Sequence, residues 1–282
     1  MNPPDPTGRR AVIGPAMRAA VRRVIAAAFA VAMTSLATTA QAGRDCTVAP
    51  PTLESVQRGL ALAERTARTL DGTGARVVLI ARAGQDLRRW GLQWSHVGLA
   101  YRDPAAAGAW RVVHKLNACG TDQAALWRHG LGQFFLDDPF EYRAAWVVPR
   151  PDLQERLLAV LTDPLRATRL HTPGYSMVAY PWSTRYQQSN QWALETIAAA
   201  ESDQALDRER AQAWLRLNGY RPTSLSVDAM TRLGARLSTA NVAFDDHPDS
   251  QRFAGRIDTV TADSMFDWLA RTGRSGAPGV LR

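Results

Sequence analysis

RVVLIAR, residues 76–82, begins the stretch of sequence that decides the fold. SHVGLAY at 95–101 and WRVVHKL at 110–116 follow it, and AAWVV at 144–148 is a fourth run of the same kind. The first run is almost continuously aliphatic, whereas the next two alternate in character, and both patterns are typical of β-strands. The sequence therefore predicts consecutive strands in the first half of the chain.

Helical patterns lie on both sides of these strands. An amphipathic helix is predicted from apolar residues at three- and four-residue spacing between Val56 and Leu70, and further helices begin near Asp152, Ser189 and Ser202. A helix, then strands, then a helical second half predicts an α+β fold, with an antiparallel sheet and packed helices. We expect one domain over residues 43–272 and a disordered tail over residues 273–282.

The first 42 residues have the three parts of an export signal. A stretch with five arginines precedes an apolar run from Val24 to Leu36, and Ala40-Gln41-Ala42 provides small residues for a signal peptidase. An uncleaved membrane anchor is the alternative, but the run is shorter than the roughly 20 apolar residues of a spanning helix. We expect a periplasmic or secreted protein without a stable membrane span after cleavage.

Cleavage changes the charge and the interpretation of the cysteines. The full chain carries +8, and residues 1–42 contribute five Arg and one Asp, or +4, so the mature chain is near +4. Its basic residues are scattered, and we expect no nucleic-acid partner. In an oxidising compartment Cys46 and Cys119 are expected to form a disulfide, with two buried free thiols as the alternative.

Two histidines are candidates for chemistry because of where alternation places them. His96 shares a strand face with Gly98 and Ala100, whose small side chains predict open space above its ring. His114 lies on the apolar face of the next run, and a buried imidazole needs a hydrogen-bond partner. If the two strands are hairpin neighbours, the two rings meet across the ladder. Structural histidines remain the alternative for both.

Ser189 is placed at a predicted helix N-terminus. Free N–H groups and the helix dipole there favour developing negative charge, which suits a nucleophile, although serine is also a common helix cap without further function. Aromatic residues surround it in sequence and predict a cleft for an acyl chain, peptide or sugar. The residues expected to bind substrate are Trp182, Arg185, Tyr186 and Asn190.

Metal binding is a weaker hypothesis. The stretch Asp245-Asp246-His247-Pro248 contains carboxylate and imidazole ligands, and Asp137-Asp138-Pro139 adds two more carboxylates. Adjacent residues rarely ligate one ion without a distant set, and Asp before Pro is an ordinary turn signal. We therefore expect no metal and no other cofactor.

The ordered set of SHVG, a polar residue 18 positions later and a helix that opens SNQW resembles the circularly permuted papain-like hydrolases, relatives of the NlpC-type cell-wall amidases. A longer pattern over residues 45–270 resembles an uncharacterised family of secreted bacterial proteins; it comprises Cys46, SHVG, WRVVHKLNACG, HGLGQFFLDDP, YSMVAYPWSTRYQQSNQW and NVAFDDHP.

The resemblance implies a permuted papain-like core in which His96 is the general base, His114 orients its ring and Ser189 occupies the nucleophile position. The departure is that serine stands where that superfamily has cysteine. The expected function is a cell-envelope amide or ester hydrolase, or an acyltransferase, with a peptide, glycan or acyl substrate. A non-catalytic envelope protein that binds in an inherited cleft is the alternative, and a metal-dependent hydrolase is a third.

Overall fold

A computed structural model describes residues 50–136, 139–238 and 240–282. The predicted export signal and Cys46 lie outside the described residues. Helix α1 (Leu53–Gly72) precedes the sheet and buries Leu62, Ala63 and Leu70 against it. Thr52 caps this helix, because its hydroxyl accepts a hydrogen bond from the Ser55 N–H at 3.1 Å.

A six-stranded antiparallel sheet forms the centre of the fold, and the predicted α+β class is confirmed. Its strand order is β4-β3-β2-β1-β5-β8. The strand bounds are β1 (Val77–Ala83), β2 (His96–Asp103), β3 (Ala109–Asn117), β4 (Ala124–Gly130), β5 (Glu141–Val147) and β8 (Gly279–Leu281). All four strand-like runs in the sequence correspond to strands, and β2 and β3 are hairpin neighbours, with Leu99 opposite Val113.

Helices cover the two faces of this sheet. One face packs against α1 and α2 (Leu131–Leu136). The other face packs against α3 (Pro151–Leu161), α5 (Ser189–Glu201), α6 (Arg208–Leu217) and α9 (Ala262–Arg271), around the fully buried Trp192 and Trp268. The short helix α4 (Pro164–Thr168) follows α3.

A second, two-stranded sheet joins β6 (Thr223–Ser226) to β7 (Arg256–Thr259). Two helices accompany it, α7 (Ala229–Ser238) and α8 (Asp249–Phe253). Its apolar side chains form a small separate cluster that includes Val227, Phe244 and Ile257.

The C-terminal tail differs from its prediction. Residues 279–281 pair with β5, with Ala144 opposite Leu281, and so extend the sheet by one edge strand. A Cβ at Gly279 would lie 2.4 Å from the Trp146 ring, so glycine is what lets the tail approach that indole. The composition of the tail predicts disorder. The tail is ordered nonetheless, because a strand this short is specified by the strand with which it pairs and not by its own sequence.

None of the helices within the described residues combines the length and the apolarity that a bilayer span requires.

Candidate functional site

The rings of His96 and His114 meet, as the alternation of β2 and β3 predicts. The Nε2 atom of His96 lies 2.8 Å from Nδ1 of His114, and both side chains are buried. The rings are packed edge to face, with centroids 5.1 Å apart. An imidazole held by a second imidazole has a fixed orientation, which is what a general base requires.

A third histidine extends this pair. The Nε2 atom of His114 lies 3.0 Å from Nδ1 of His129 on β4, which is partly exposed. Both ring nitrogens of His114 therefore face another imidazole. His129 is not predicted from the sequence because β4, with the sequence AALWRHG, lacks the alternation that identifies a half-buried strand.

The open space predicted above His96 is filled. Phe134 of α2 packs against both rings, with centroid distances of 5.9 Å to His96 and 5.3 Å to His114. A Cβ at Gly98 would lie 2.3 Å from Val112 and 3.2 Å from Phe134. The glycine therefore admits core packing and not a substrate, because the side chain of a distant helix takes the volume that it leaves.

Arg82 lies beside the histidines on the same face. It is opposite His96 in the β1–β2 register and is buried. Its Nη1 donates to the Phe134 carbonyl at 2.5 Å, and the guanidinium lies 5.1 Å from the centre of the Phe134 ring. Arg82 thus fixes the C-terminal half of α2 over the two rings.

Ser189 is the first residue of α5, and Gln188 precedes it as the N-cap. Gln188 directs its side-chain amide to Thr259 Oγ1 at 2.6 Å and to the Val260 carbonyl at 2.7 Å. The Asn190 Oδ1 accepts from the Val97 N–H at 2.9 Å. This bond anchors the first turn of α5 to β2, at the residue that follows His96.

The sheet face that packs α5 is the one opposite the histidine rings. Val97 and Leu99 face it, whereas His96 and Gly98 alternate to the face covered by α2. The structure thus brings His96 and His114 into contact, and it brings the start of α5 to the β2 backbone beside His96.

On the α5 side, Tyr175 is a neighbour of Ser189, and Lys115 is a neighbour of Tyr175. Burial raises the pKa of Tyr175, and the adjacent Ser189 hydroxyl acts in the opposite direction. The Lys115 Nζ lies 6.0 Å from the centre of the Tyr175 ring. Burial lowers the pKa of Lys115 to about 7; nearby Arg208 acts in the same direction and Glu195 opposes it. Lysine in a strand usually faces solvent, so sequence alone did not single it out.

Lys115 begins a buried polar network that holds α5. Its Nζ donates to Gln187 Oε1 at 2.9 Å, and Gln187 Nε2 donates to Glu195 Oε2 at 2.6 Å. Arg208 donates to the same carboxylate at 2.8 Å and also to the carbonyls of Thr184 and Tyr186. The network fixes the irregular segment that leads into Ser189.

A cleft of about 580 Å³ opens beside the start of α5. Gln188 and Asn190, the neighbours of Ser189 in sequence, line it, and so does Ser95, the neighbour of His96. Its other walls are the loop over residues 84–94 and the small cluster around Phe244.

Among the residues predicted to bind substrate, Asn190 lines this cleft, and the other three have other contacts. Trp182 packs against the Tyr220 ring, and the Arg216 guanidinium lies over the Trp182 ring, 4.5 Å from its centre. Arg185 pairs with Asp245 at 2.8 Å and lies over the Tyr186 ring. Arg185, which the sequence predicts to bind substrate, is therefore already paired with the carboxylate of Asp245.

The predicted metal-ligand stretch near His247 makes internal contacts. His247 Nδ1 lies 2.9 Å from Asp246 Oδ1, and its Nε2 lies 2.9 Å from the Asp258 carbonyl. Asp246 also accepts from the Tyr180 N–H at 2.8 Å. The His247 and Asp246 side chains are fully buried, so this pair ties a loop to β7.

Within the described residues, no group of three His, Cys, Asp or Glu side chains is arranged to hold a metal ion. Asp137 and Asp138 lie outside those residues, as does Cys46, the predicted partner of Cys119.

The family comparison covers most of the chain. Residues 69–269 match the model of DUF2145, described as an uncharacterized protein conserved in bacteria. The chain therefore belongs to this family. No curated protein and no solved structure matches this chain.

Proposed function

We propose that this member of the DUF2145 family is an exported hydrolase or acyltransferase that acts on an amide or ester of the bacterial cell envelope. The proposed nucleophile is Ser189, the base is His96 and the group that orients the base is His114. One observation carries the proposal: His96, which is bonded to His114 at 2.8 Å, is the first residue of β2, and Asn190 anchors the start of α5 to the next residue of that strand, Val97.

The proposed reaction follows from the chemistry of a serine hydroxyl. A serine hydroxyl does not ionise near neutral pH, so the reaction requires Ser189 Oγ to pass its proton to His96 as it attacks the carbonyl carbon. Because α5 and the histidine rings lie on opposite faces of the sheet, this transfer must pass around the end of β2, where His96 is the first residue. N–H groups in the first turn of α5 stabilise the resulting oxyanion. The intermediate expels an amine or alcohol that takes the proton from His96. Water then hydrolyses the acyl-serine, or an acceptor hydroxyl or amine takes the acyl group.

A periplasmic or secreted location is part of the proposal. It is supported by the basic stretch, apolar run and small-residue cleavage site within residues 1–42. A disulfide between Cys46 and Cys119 belongs with it, since oxidising compartments favour such bonds. Mass spectrometry of the mature protein without reductant tests both the cleavage position and the bridge.

Fluorophosphonate labelling of the mature chain tests the nucleophile. We expect labelling of the wild type, loss of the label in Ser189→Ala, and normal labelling in Ser202→Ala, which alters a serine at the other end of the same helix. Equal labelling of the two variants would place the reactive serine elsewhere and would refute the assignment.

Ser189→Cys tests the geometry independently of serine reactivity. A thiol beside an imidazole ionises at lower pH than a free thiol. We expect Ser189→Cys to react with iodoacetamide at pH 6 at least tenfold faster than Ser202→Cys, and His96→Ala to abolish the difference. Equal rates for the two cysteines would show that no imidazole serves position 189.

A non-catalytic binding protein is the second candidate, favoured by the serine that replaces the cysteine of the resembled superfamily. In that case the cleft beside α5 is retained for binding alone. Folded wild-type protein that resists labelling, together with an unreactive Ser189→Cys, would favour this candidate.

A further inference from the structure

The cleft beside α5 has its own chemical character. It runs between the loop over residues 84–94 and the two-stranded sheet with α7, so it separates two hydrophobic clusters. Clefts between packed units are common ligand sites. Its walls are mainly aliphatic and aromatic, and the larger side chains are Trp90, Trp94, Phe140, Met177, Leu225 and Phe244.

Charge is restricted to the rim. Asp86 and Arg89 are the charged residues of the lining, and both are exposed. Asp86 pairs with Arg88 at 2.6 Å, and the Arg89 guanidinium stacks 3.7 Å from the centre of the Trp90 ring. Both charges therefore already have contacts within the protein.

The polar groups within the cleft lie mainly at its inner end. Ser95, Gln188 and Asn190 lie there together with the hydroxyls of Thr259 and Thr261. The side-chain amides of Gln188 and Asn190 are bonded within the protein. The groups suited to an ester or amide carbonyl at this end are therefore the N–H groups of the first turn of α5, which have no partner within the helix. A ligand that fits is apolar along its length and polar at one end.

This lining discriminates between the substrate classes of the cell envelope. The ionised groups of a peptide would lose their hydration in an apolar cleft. Each charge left unpaired there carries a large desolvation cost, which disfavours peptide binding. Glycans would leave many hydroxyls without partners for the same reason. An acyl chain has neither cost, and its binding free energy becomes more favourable with each CH₂ that it buries.

The size of the cleft agrees with a long chain. A 150 Å³ apolar cavity accepts benzene, so by proportion 580 Å³ has room for on the order of 20 carbon atoms. A chain of about 12 to 16 carbons would therefore fit and leave space for its polar end.

We propose that this cleft binds a single acyl chain of a lipid-like amphiphile, with its ester or amide carbonyl at the first turn of α5. The fate of that carbonyl rests on the proposed function, whereas binding of the chain does not. In this assignment the substrate is a lipid ester or an N-acyl compound, and not a wall peptide or a glycan.

Binding of 11-(dansylamino)undecanoic acid to Ser189→Ala tests the site without catalysis. We expect saturable fluorescence enhancement, displacement by palmitate, and no displacement by alanyl-glutamate or chitotriose. Val178→Trp should weaken binding at least tenfold, because the indole fills the cleft. Val280→Trp, on the outer edge strand and half exposed, should bind as Ser189→Ala does. If Val178→Trp unfolds, Val242→Trp on another part of the lining replaces it.

The outcomes separate this proposal from the proposed function. Saturable binding without fluorophosphonate labelling would uphold the acyl site and refute the hydrolase. Labelling without acyl binding, or binding that folded cleft-filling variants do not change, would overturn the acyl site. Displacement by the dipeptide in preference to palmitate would also overturn it.

Discussion

The two faces of the central sheet carry different buried polar groups. Adjacent residues of β3 supply both, because His114 and Lys115 point to opposite faces. On the α2 face, His114 joins His96 and His129 in a chain of imidazoles that reaches the partly exposed edge strand. On the α5 face, Lys115 enters a network with full charges.

This difference indicates that the imidazole chain is suited to a reaction, whereas the charged network around Glu195 and Arg208 is suited to a structural role. Imidazoles gain and lose protons near neutral pH and pass them between ring nitrogens. The Glu195–Arg208 pair is buried and bonded to backbone carbonyls around the segment over residues 172–186, so it holds that segment in one conformation. We therefore expect mutations in the charged network around Glu195 to affect mainly stability and mutations in the histidine chain to affect mainly reactivity.

The largest expected effect comes from breaking the charged network. Arg208→Ala leaves the Glu195 carboxylate buried without its cation, and we expect the free energy of unfolding to fall by about 3–5 kcal/mol. Urea denaturation measures it. Arg210→Ala is the control, because its pair with Asp207 is exposed, and it should change stability by less than about 0.5 kcal/mol. Similar losses for both variants would mean that the buried network is not a structural support.

A smaller loss is expected on the histidine face from Gly98→Ala. The added methyl would meet Val112 at 2.3 Å and Phe134 at 3.2 Å, and overpacking of this kind costs about 1–3 kcal/mol. Displaced Phe134 should also disturb the histidine rings, visible as shifted imidazole resonances by NMR. Gly130→Ala has open space at the Cβ position and should leave stability nearly unchanged. An equally harmless Gly98→Ala would refute the close packing over His96.

The lowered pKa of Lys115 predicts that the free energy of unfolding rises with pH. Its pKa is about 7 in the folded chain and near 10.4 when unfolded, so between those values the unfolded state binds more protons and stability increases. The gain should be at most about 1.4 kcal/mol per pH unit, the value for a difference of one bound proton. Comparing urea midpoints of wild type and Lys115→Met at pH 7 and 9 isolates this residue. Parallel pH profiles would show that Lys115 does not titrate there.

The smallest effect concerns the outer end of the imidazole chain. His129→Asn removes the ring that faces His114 Nε2, and loss of one such hydrogen bond, worth about 1 kcal/mol, should slow fluorophosphonate labelling about fivefold. Stability should change little because His129 is partly exposed. His171→Asn, a change to a histidine bonded to the Ala124 carbonyl, should label at the wild-type rate. Equal rates for both variants would limit the functional chain to two histidines.

The sequence predicted the main strands and the contact between His96 and His114, because strand alternation is a local property that one segment reveals by itself. It did not predict His129, whose strand is exposed or partly exposed at all but its first residue and is specified by pairing with β3. It also placed the substrate-binding residues within residues 182–190, close to Ser189 in sequence. The cleft instead draws its walls from positions 84 to 261, which only tertiary packing brings together.

By itself, the sequence determined the α+β class, the facing of the histidines in β2 and β3 and the start of α5 at Ser189. Tertiary structure decided what each face meets. Phe134 fills the space beside Gly98, and Glu195 and Arg208 enclose Lys115 in a network whose members are distant in sequence. The physical reason is that burial and pairing depend on partners far along the chain, and no local pattern specifies those partners.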